Sequence, residues 1–528
     1  MHGLCTRQNQ GSSSEQAEVV PPQWLPEYNI DQNYTILLPL FNQLTHFHCK
    51  VQGTYRQYLM GGDVNDTNIR PIPPLDPLHV LWIISLHPSL RHVVIDGLVN
   101  RNGYISLALG QTIATLERLT HLELYVPARY PVTPYDLRQL FFNCPPSLES
   151  LEIFAEIRSS RGCLVNNVEI NENDHNVAGP SSEPRKDPLW KLKKLRLPII
   201  RSPKGYDPDS IDSILKHCPA LETWTAIDFC IDSVNDAVAN AISLSCRNIR
   251  HVIVPPQHYL YGAGAVPHSL AGLPQDQLET IHWMDFINMG DPPETMTQFF
   301  QRHSNSLREI RFERSGSIDK KILDAILSTC GSLELLKVTQ EQSNRDRFIP
   351  EDFVVSEWVC HNLQHLELFV EVPEDNTSDQ SDLEQGSTSE AYTGRNALRQ
   401  LYRQIGLMTK LKTLDLKRQD TYSDLKYHEV SLPQLLTLED NESGAMGCLS
   451  MLAGLTDLRE LRGSVRVDTP EVSKRMGQRE VRWMAQHWPV LEVAEFLPDG
   501  YAKTPDFEVP AHLQWLQEQN PKLRLCCE

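Results

Sequence analysis

The sequence predicts an α/β solenoid of about 13–15 stacked strand–helix units. Its parallel sheet would line the concave side of a horseshoe, with the helices on the convex side. Three observations predict it. First, an L-x-x-L-x-L pattern, with other apolar residues allowed at the fixed places, opens at Leu44, Leu90, Leu119, Leu148, Leu192, Leu221, Ile249, Leu278, Leu307, Leu333, Leu363, Leu411, Leu458 and Leu491, and more weakly at Leu523. From Leu192 to Leu363 the steps stay between 26 and 30 residues, a regularity that chance spacing of leucine would not keep. Second, the last four places of each copy alternate apolar and polar, as a half-buried strand does. Third, the segments before the strands carry helical stripes.

The clearest strands are "LTHLEL" from Leu119, "LESLEI" from Leu148, "LKKLRL" from Leu192, "LQHLEL" from Leu363 and "LKTLDL" from Leu411. In "DSIDSILKHCPAL", Ile211, Ile214, Leu215 and Cys218 fall at i, i+3, i+4 and i+7, one face of a helix. Similar stripes run through "TMTQFFQRHSNSL", "KKILDAILSTCGSL", "EDFVVSEWVCHNL" and "REVRWMAQHWPVL". Pro or Gly after Cys144, Cys218, Cys330 and Trp488 stops each helix before its strand. One strand and one helix per unit of about 29 residues is the leucine-rich-repeat arrangement.

The long steps hold polar inserts near 54–76, 158–188 and 371–395, expected to be disordered. Residues 1–25 are expected to form a disordered tail, and 26–528 a single solenoid. The last insert, "EVPEDNTSDQSDLEQGSTSEAYTG", has seven acidic residues and no basic one. A chain of 528 residues with formal net charge -19 argues against a general binder of nucleic acid or anionic membrane. No run of 18 apolar residues predicts a membrane span. The amino terminus does not read as a signal peptide, so the twelve Cys are expected to be reduced, in cytoplasm or nucleus. A monomer is expected.

The Cys near the helix end, in "CPAL" and "CHNLQHLEL", resembles the leucine-rich repeats of F-box proteins. The blocks "MGQREVRWMAQHWPVLEVAEFLPDG" and "LAGLTDLRELRGSV" resemble a group of fungal F-box-like leucine-rich-repeat proteins. The resemblance implies repeats that bind a protein substrate for a ubiquitin ligase. It implies a Skp-type adaptor as partner only if an F-box lies elsewhere. "WLPEY" has the Leu-Pro-Glu of F-box starts, but the repeats open at Leu44, too soon for a complete F-box. Asn or Cys, usual eight residues after the opening Leu, is replaced by Gln52, Leu98, Pro127, Glu156, Ile200, Phe229, Gln257, Phe286 and Ser315. The turns must therefore be closed in another way.

Catalytic, cofactor and metal motifs are missing. There is no C-x-x-C, P-loop or G-x-S-x-G. The recurring Cys reads as a small buried hydrophobe. The chain is read as a non-enzyme without cofactor, binding a protein substrate or ligand on its concave sheet. Candidate contacts are the strand residues that alternate outward. His46, His92, His121, His251 and His365 share one strand place, with His282 one place further on. They read either as a pH-responsive or binding ladder, or as a half-exposed place that tolerates His. The middle place holds Glu123, Glu152, Glu367, Asp415 and Glu495, but also Arg196, Arg311, Lys337 and Arg462. These read either as a solvated face with cross-strand pairs or, for Glu123, Glu152, Arg311, Lys337 and Glu367, as contacts where a partner docks. Tyr125, Phe154 and Phe369 follow the last strand residue and would be aromatic anchors. The basic run Arg395–Gln419 directly follows the acidic insert, and is read as neutralised by it.

Overall fold

The structure is a computed structural model that describes residues 44–50, 77–96, 104–127, 134–156, 187–198, 208–225, 232–255, 265–284, 293–315, 318–340, 348–368, 370, 388–416, 437–439, 447–462, 476–497 and 508–525. It is a leucine-rich-repeat α/β solenoid, and its contacts divide it into two compact units. Unit one is Met1–Ile249 with His268–Leu273; unit two is Arg250–Pro267 with Pro274–Glu528.

Unit one carries β1 (His46–Lys50), α1 (Pro77–Ser85), β2 (His92–Asp96), α2 (Tyr104–Ala114), β3 (His121–Pro127), α3 (Pro134–Phe142), β4 (Ser150–Glu156), β5 (Lys194–Arg196), α4 (Pro208–Lys216), β6 (Thr223–Thr225) and α5 (Asp232–Ser245). Its strands pair in parallel in chain order, with His46 opposite His92, His92 opposite His121, His121 opposite Ser150, Ser150 opposite Lys194, and Lys194 opposite Thr223. Unit two continues with β7 (His251–Val254), the first half of α6 (Ala265–Leu270, whose residues from His268 on count with unit one), β8 (Thr280–Met284), α7 (Pro293–Arg302), β9 (Glu309–Ser315), α8 (Lys320–Thr329), β10 (Leu335–Gln340), β11 (His365–Glu367), α9 (Thr388–Gly406), β12 (Thr413–Asp415), β13 (Glu460–Arg462), α10 (Gln478–His487), β14 (Val493–Ala494) and α11 (Ala511–Gln519). These strands too are parallel and in chain order. Every strand begins two residues after one of the first fourteen predicted openings. The weaker opening at Leu523 yields only a single bridge, Val493 to Arg524.

From the second repeat on, the opening residue and the apolar residues described three and five places on are buried, for example Leu119, Leu122 and Leu124 or Leu307, Ile310 and Phe312, while Leu44, Phe47 and Cys49 of the first repeat are half-buried. Burying one such side chain contributes about 1.5–3 kcal/mol. In α8, Asp319 accepts from the Lys321 N–H at 2.8 Å to start the helix. Ile322, Leu323, Ile326 and Leu327 form its buried stripe, and Cys330 caps its end. The chain then turns back: the Leu333 N–H donates to the Cys330 carbonyl at 3.2 Å, as Leu221 does to Cys218 and Leu363 to Cys360. Cys144, Cys218, Cys246, Cys330 and Cys360 are buried free thiols in this seam.

A second device links neighbouring repeats. The carbonyl of the residue before β1–β5 and before β7–β13 accepts two N–H groups from the next repeat. Thus the Arg91 carbonyl takes Thr120 at 2.8 Å and His121 at 3.0 Å, and the Glu279 carbonyl takes Arg308 at 2.8 Å and Glu309 at 3.2 Å. The side chains of these residues add exposed ion pairs, Lys193 with Glu222 in unit one and Arg250 with Glu279, Arg308 with Glu334 and Arg459 with Glu492 in unit two. Each contributes about 0–1 kcal/mol, so the apolar seam dominates stability.

Two expectations change. The stripe "EDFVVSEWVCHNL" does not form an α-helix: Pro350–Phe353 is one 3-10 turn, and the chain is irregular up to β11. The side chain of Gln404 replaces the lost helical partners, accepting from the Trp358 N–H at 2.7 Å and donating to the Ser356 carbonyl at 2.9 Å. And α9 begins at Thr388, inside the stretch 371–395 expected to be loop.

Candidate functional site

On most strands the alternate residues lie on an open face; Thr225 on β6 and Val493 on β14 are exceptions and are buried. In unit one, β1, β2 and β3 carry the histidines that share register. The rings of His46 and His92 stack at 5.5 Å with 22° between planes, and those of His92 and His121 at 4.7 Å with 6°. The Thr120 hydroxyl donates to the Arg91 carbonyl at 3.0 Å and lies 2.9 Å from His121 Nδ1. Burial holds the His92 pKa below the usual histidine range; repulsion from His121 and His46 adds to this, and Glu123 opposes it.

Two residues further along, the face becomes a layered cluster. Tyr125 on β3 stacks on Phe154 of β4 at 4.4 Å with 5° between planes. The guanidinium of Arg196 on β5 sits over the same Phe154 ring at 4.0 Å. Because β4 lies between β3 and β5, Phe154 has Tyr125 on one side and Arg196 on the other. The Tyr125 hydroxyl donates to Glu123 at 3.3 Å; burial first, and then Glu123, push the phenol pKa up. Glu152, only 8% exposed, is held by Lys194 at 2.7 Å and by the Ser150 hydroxyl at 3.4 Å.

Unit two has a different open face. His251 Nδ1 lies 2.8 Å from the Thr280 hydroxyl, and His365 Nδ1 lies 3.1 Å from that of Thr413. Burial, with Lys412 and Arg311, lowers the His365 pKa against Glu460 and Glu309. His282 Nε2 is 3.2 Å from the Glu313 carboxylate, without hydrogen-bond alignment. Arg311 pairs with Glu309, Lys337 with Glu367 at 3.3 Å, and Arg462 with Glu460 at 2.7 Å. The cations of this face are matched by carboxylates on the same or the next strand.

The structure therefore sorts the predicted residues into two sets. His121, Glu123, Tyr125, Glu152 and Phe154 come together in unit one. His251, His282, Arg311, Lys337, His365 and Glu367 lie on the open face of unit two. Phe369 lies outside the described residues. Lys194 and Arg196 belong to the unit-one cluster, and neither was singled out as a contact from sequence. The step from Leu148 to Leu192 separates Arg196 from Phe154 along the chain, and only the pairing of β4 with β5 brings them together. Among the described residues, no group of three or more His, Cys, Asp or Glu converges to hold a metal ion, and no helix is long and apolar enough to cross a membrane.

No protein-family model matches the chain. No curated protein matches it either. Among solved structures, 74 chains match. One is the leucine-rich repeat-containing protein LegL7 from Legionella pneumophila, at 10% identity and TM-score 0.31, covering 59% of this chain and 88% of that one. Another is TLR13 in its complex with ssRNA13, at 13% identity and TM-score 0.32, covering 80% of this chain and 52% of that one. At such scores the fold assignment rests on this chain's own strand register, not on these neighbours.

Proposed function

We propose that the protein is a non-catalytic binding scaffold that takes a protein partner on the open face of its repeat sheet. The observation that carries this is the cluster of Tyr125, Phe154 and Arg196. Large side chains there are held in fixed stacks on rigid strands, so little side-chain freedom is lost when a partner docks. The likeness to F-box leucine-rich-repeat proteins supports a finer reading, substrate recognition for a ubiquitin ligase. In a pull-down, retention of a Skp-type adaptor would favour that reading. Its loss would favour a free-standing scaffold.

The binding reading is tested with a photo-crosslinking phenylalanine analogue. It is placed at Tyr125 and Lys337 on the open faces, and at the exposed Glu117 and Lys321 elsewhere on each unit. Crosslinks to a common protein are expected from at least one open-face position and not from Glu117 or Lys321. Crosslinks from the latter pair alone would overturn the assignment.

A further inference from the structure

We propose that Arg196 is an anion anchor, and that the partner segment bound on β3–β5 is acidic, presenting an Asp or Glu carboxylate to Arg196 with an apolar residue alongside. This names the partner chemistry of the site proposed above and rests on that reading. Arg196 is half-buried and sits over Phe154 at 4.0 Å. Among the described residues, no acceptor lies within hydrogen-bond reach of its guanidinium, and none of its nitrogens is sealed from solvent. The contrast within the protein is one of distance: Arg311, Lys337 and Arg462 on the other open face, and the neighbouring Lys194, each have a carboxylate in ion-pair contact, whereas Arg196 feels Glu152, opposite it in register, only at longer range. An arginine held against a ring, partly desolvated and with its donors free, is prepared for a carboxylate fork.

The aromatic pair favours the same ligand. Rings stacked face to face across strands have their normals along the sheet, so their edges point outward. A ring edge is the electropositive part of the quadrupole, and an anion reaching Arg196 meets the Phe154 edge beside it. The ledger of charge fixes how much anion fits. Glu123 and Glu152 oppose Lys194 and Arg196, so the bare cluster is formally neutral. One carboxylate suits it. A nucleic-acid backbone would bring successive phosphates over Glu123, on a chain of net charge -19.

The test uses the full chain and an array of end-capped 12-residue peptides rich in Asp, Glu, Leu and Phe. Each acidic peptide is printed with its Gln/Asn twin, its Lys/Arg twin and a phosphoserine twin. The wild type is expected to bind a subset of acidic peptides at least 10-fold better than their amide twins. R196K, which keeps charge and fold but not the fork, should weaken these by several-fold. R196E, checked for an unchanged melting temperature, should lose them and gain the Lys/Arg twins. The proposal is overturned if no acidic peptide binds, if amide twins bind equally, if R196E and R196K leave acidic binding unchanged, or if phosphoserine twins bind more tightly than the carboxylates. Should the array fail while open-face crosslinks persist, only the carboxylate assignment falls. Should the crosslinks come only from Glu117 or Lys321, the binding reading falls with it.

Discussion

Cys330 and His303 stand near the same point in successive repeats, where the helix gives way to the next strand. Burial dictates what each can do there. Cys330 is fully buried, and its pKa is pushed up to about 11, so it is a protonated spacer at neutral pH. His303 is as fully buried, packs edge-on to Phe299 at 5.5 Å, and neither ring nitrogen meets a hydrogen-bond partner among the described residues. Burial is the main cause that lowers its pKa to about 4; Arg302 adds to it and Asp276 opposes it. The unfolded chain, with a histidine near 6.5, takes up the proton first. Stability from this group is therefore complete above pH 6.5, falls as pH drops toward 4, and levels off below. Between pH 7.5 and pH 5 the loss amounts to about 2 kcal/mol. H303M places in the seam a residue that the repeats already use there, at Met408. Urea unfolding at the two pH values should show wild type losing about 2 kcal/mol more than H303M. Equal losses would mean that His303 escapes its burial in some way that the packing does not reveal.

At the scale of elements, the instructive segment is the one whose stripe reads as a helix and is not. The pattern of "EDFVVSEWVCHNL" has helical spacing, yet the chain there makes only the turn Pro350–Phe353. Pro350 starts that turn, Asp352 closes it by accepting from the Ile349 N–H at 3.1 Å, and the adjacent β-branched Val354 and Val355 disfavour continuing it as a helix. Trp358 is then buried, with its indole N–H donating to the Phe353 carbonyl at 3.0 Å. None of this shows in periodicity, because the decisive partner, Gln404, lies 46 residues away on α9. Gln404 is mostly buried and serves both the Trp358 N–H and the Ser356 carbonyl. Q404L fills the space but leaves both groups unmet, each at about 1–3 kcal/mol. The expected loss is about 2–6 kcal/mol, measured as a fall in the urea midpoint at unchanged slope. By contrast, E279Q, which removes an exposed ion pair between repeats, should cost less than about 1 kcal/mol. A Q404L loss as small as that of E279Q would show that water takes over the orphaned groups.

Over the whole molecule, the strands were legible in the sequence because burial is periodic: nearly every strand is placed by three apolar residues within six. The histidine stack and the Tyr125–Phe154 pair follow from the same register, since equal places in adjacent repeats become neighbours. Arg196 was not legible as a contact, because its meaning comes from lacking the close carboxylate contact that its counterparts have, and long inserts hide who those neighbours are. Nor does periodicity show how far a disturbance spreads. In a solenoid each repeat rests mainly on the two beside it, so energy is close to a sum over neighbours. Leu414 in unit two makes a clean test. It is fully buried on β12, in register with Leu366 on β11 and Leu461 on β13. L414A should cost about 2–5 kcal/mol through lost burial and the cavity left behind. Hydrogen exchange should then quicken most at the N–H groups that tie these strands together, Lys412 and Thr413 to the Gln364 carbonyl and Arg459 and Glu460 to the Lys412 carbonyl. Those of Arg308 and Glu309, three repeats back on the Glu279 carbonyl, should change far less. Equal quickening at both places would mean that unit two unfolds as one cooperative block, with coupling beyond the nearest repeat.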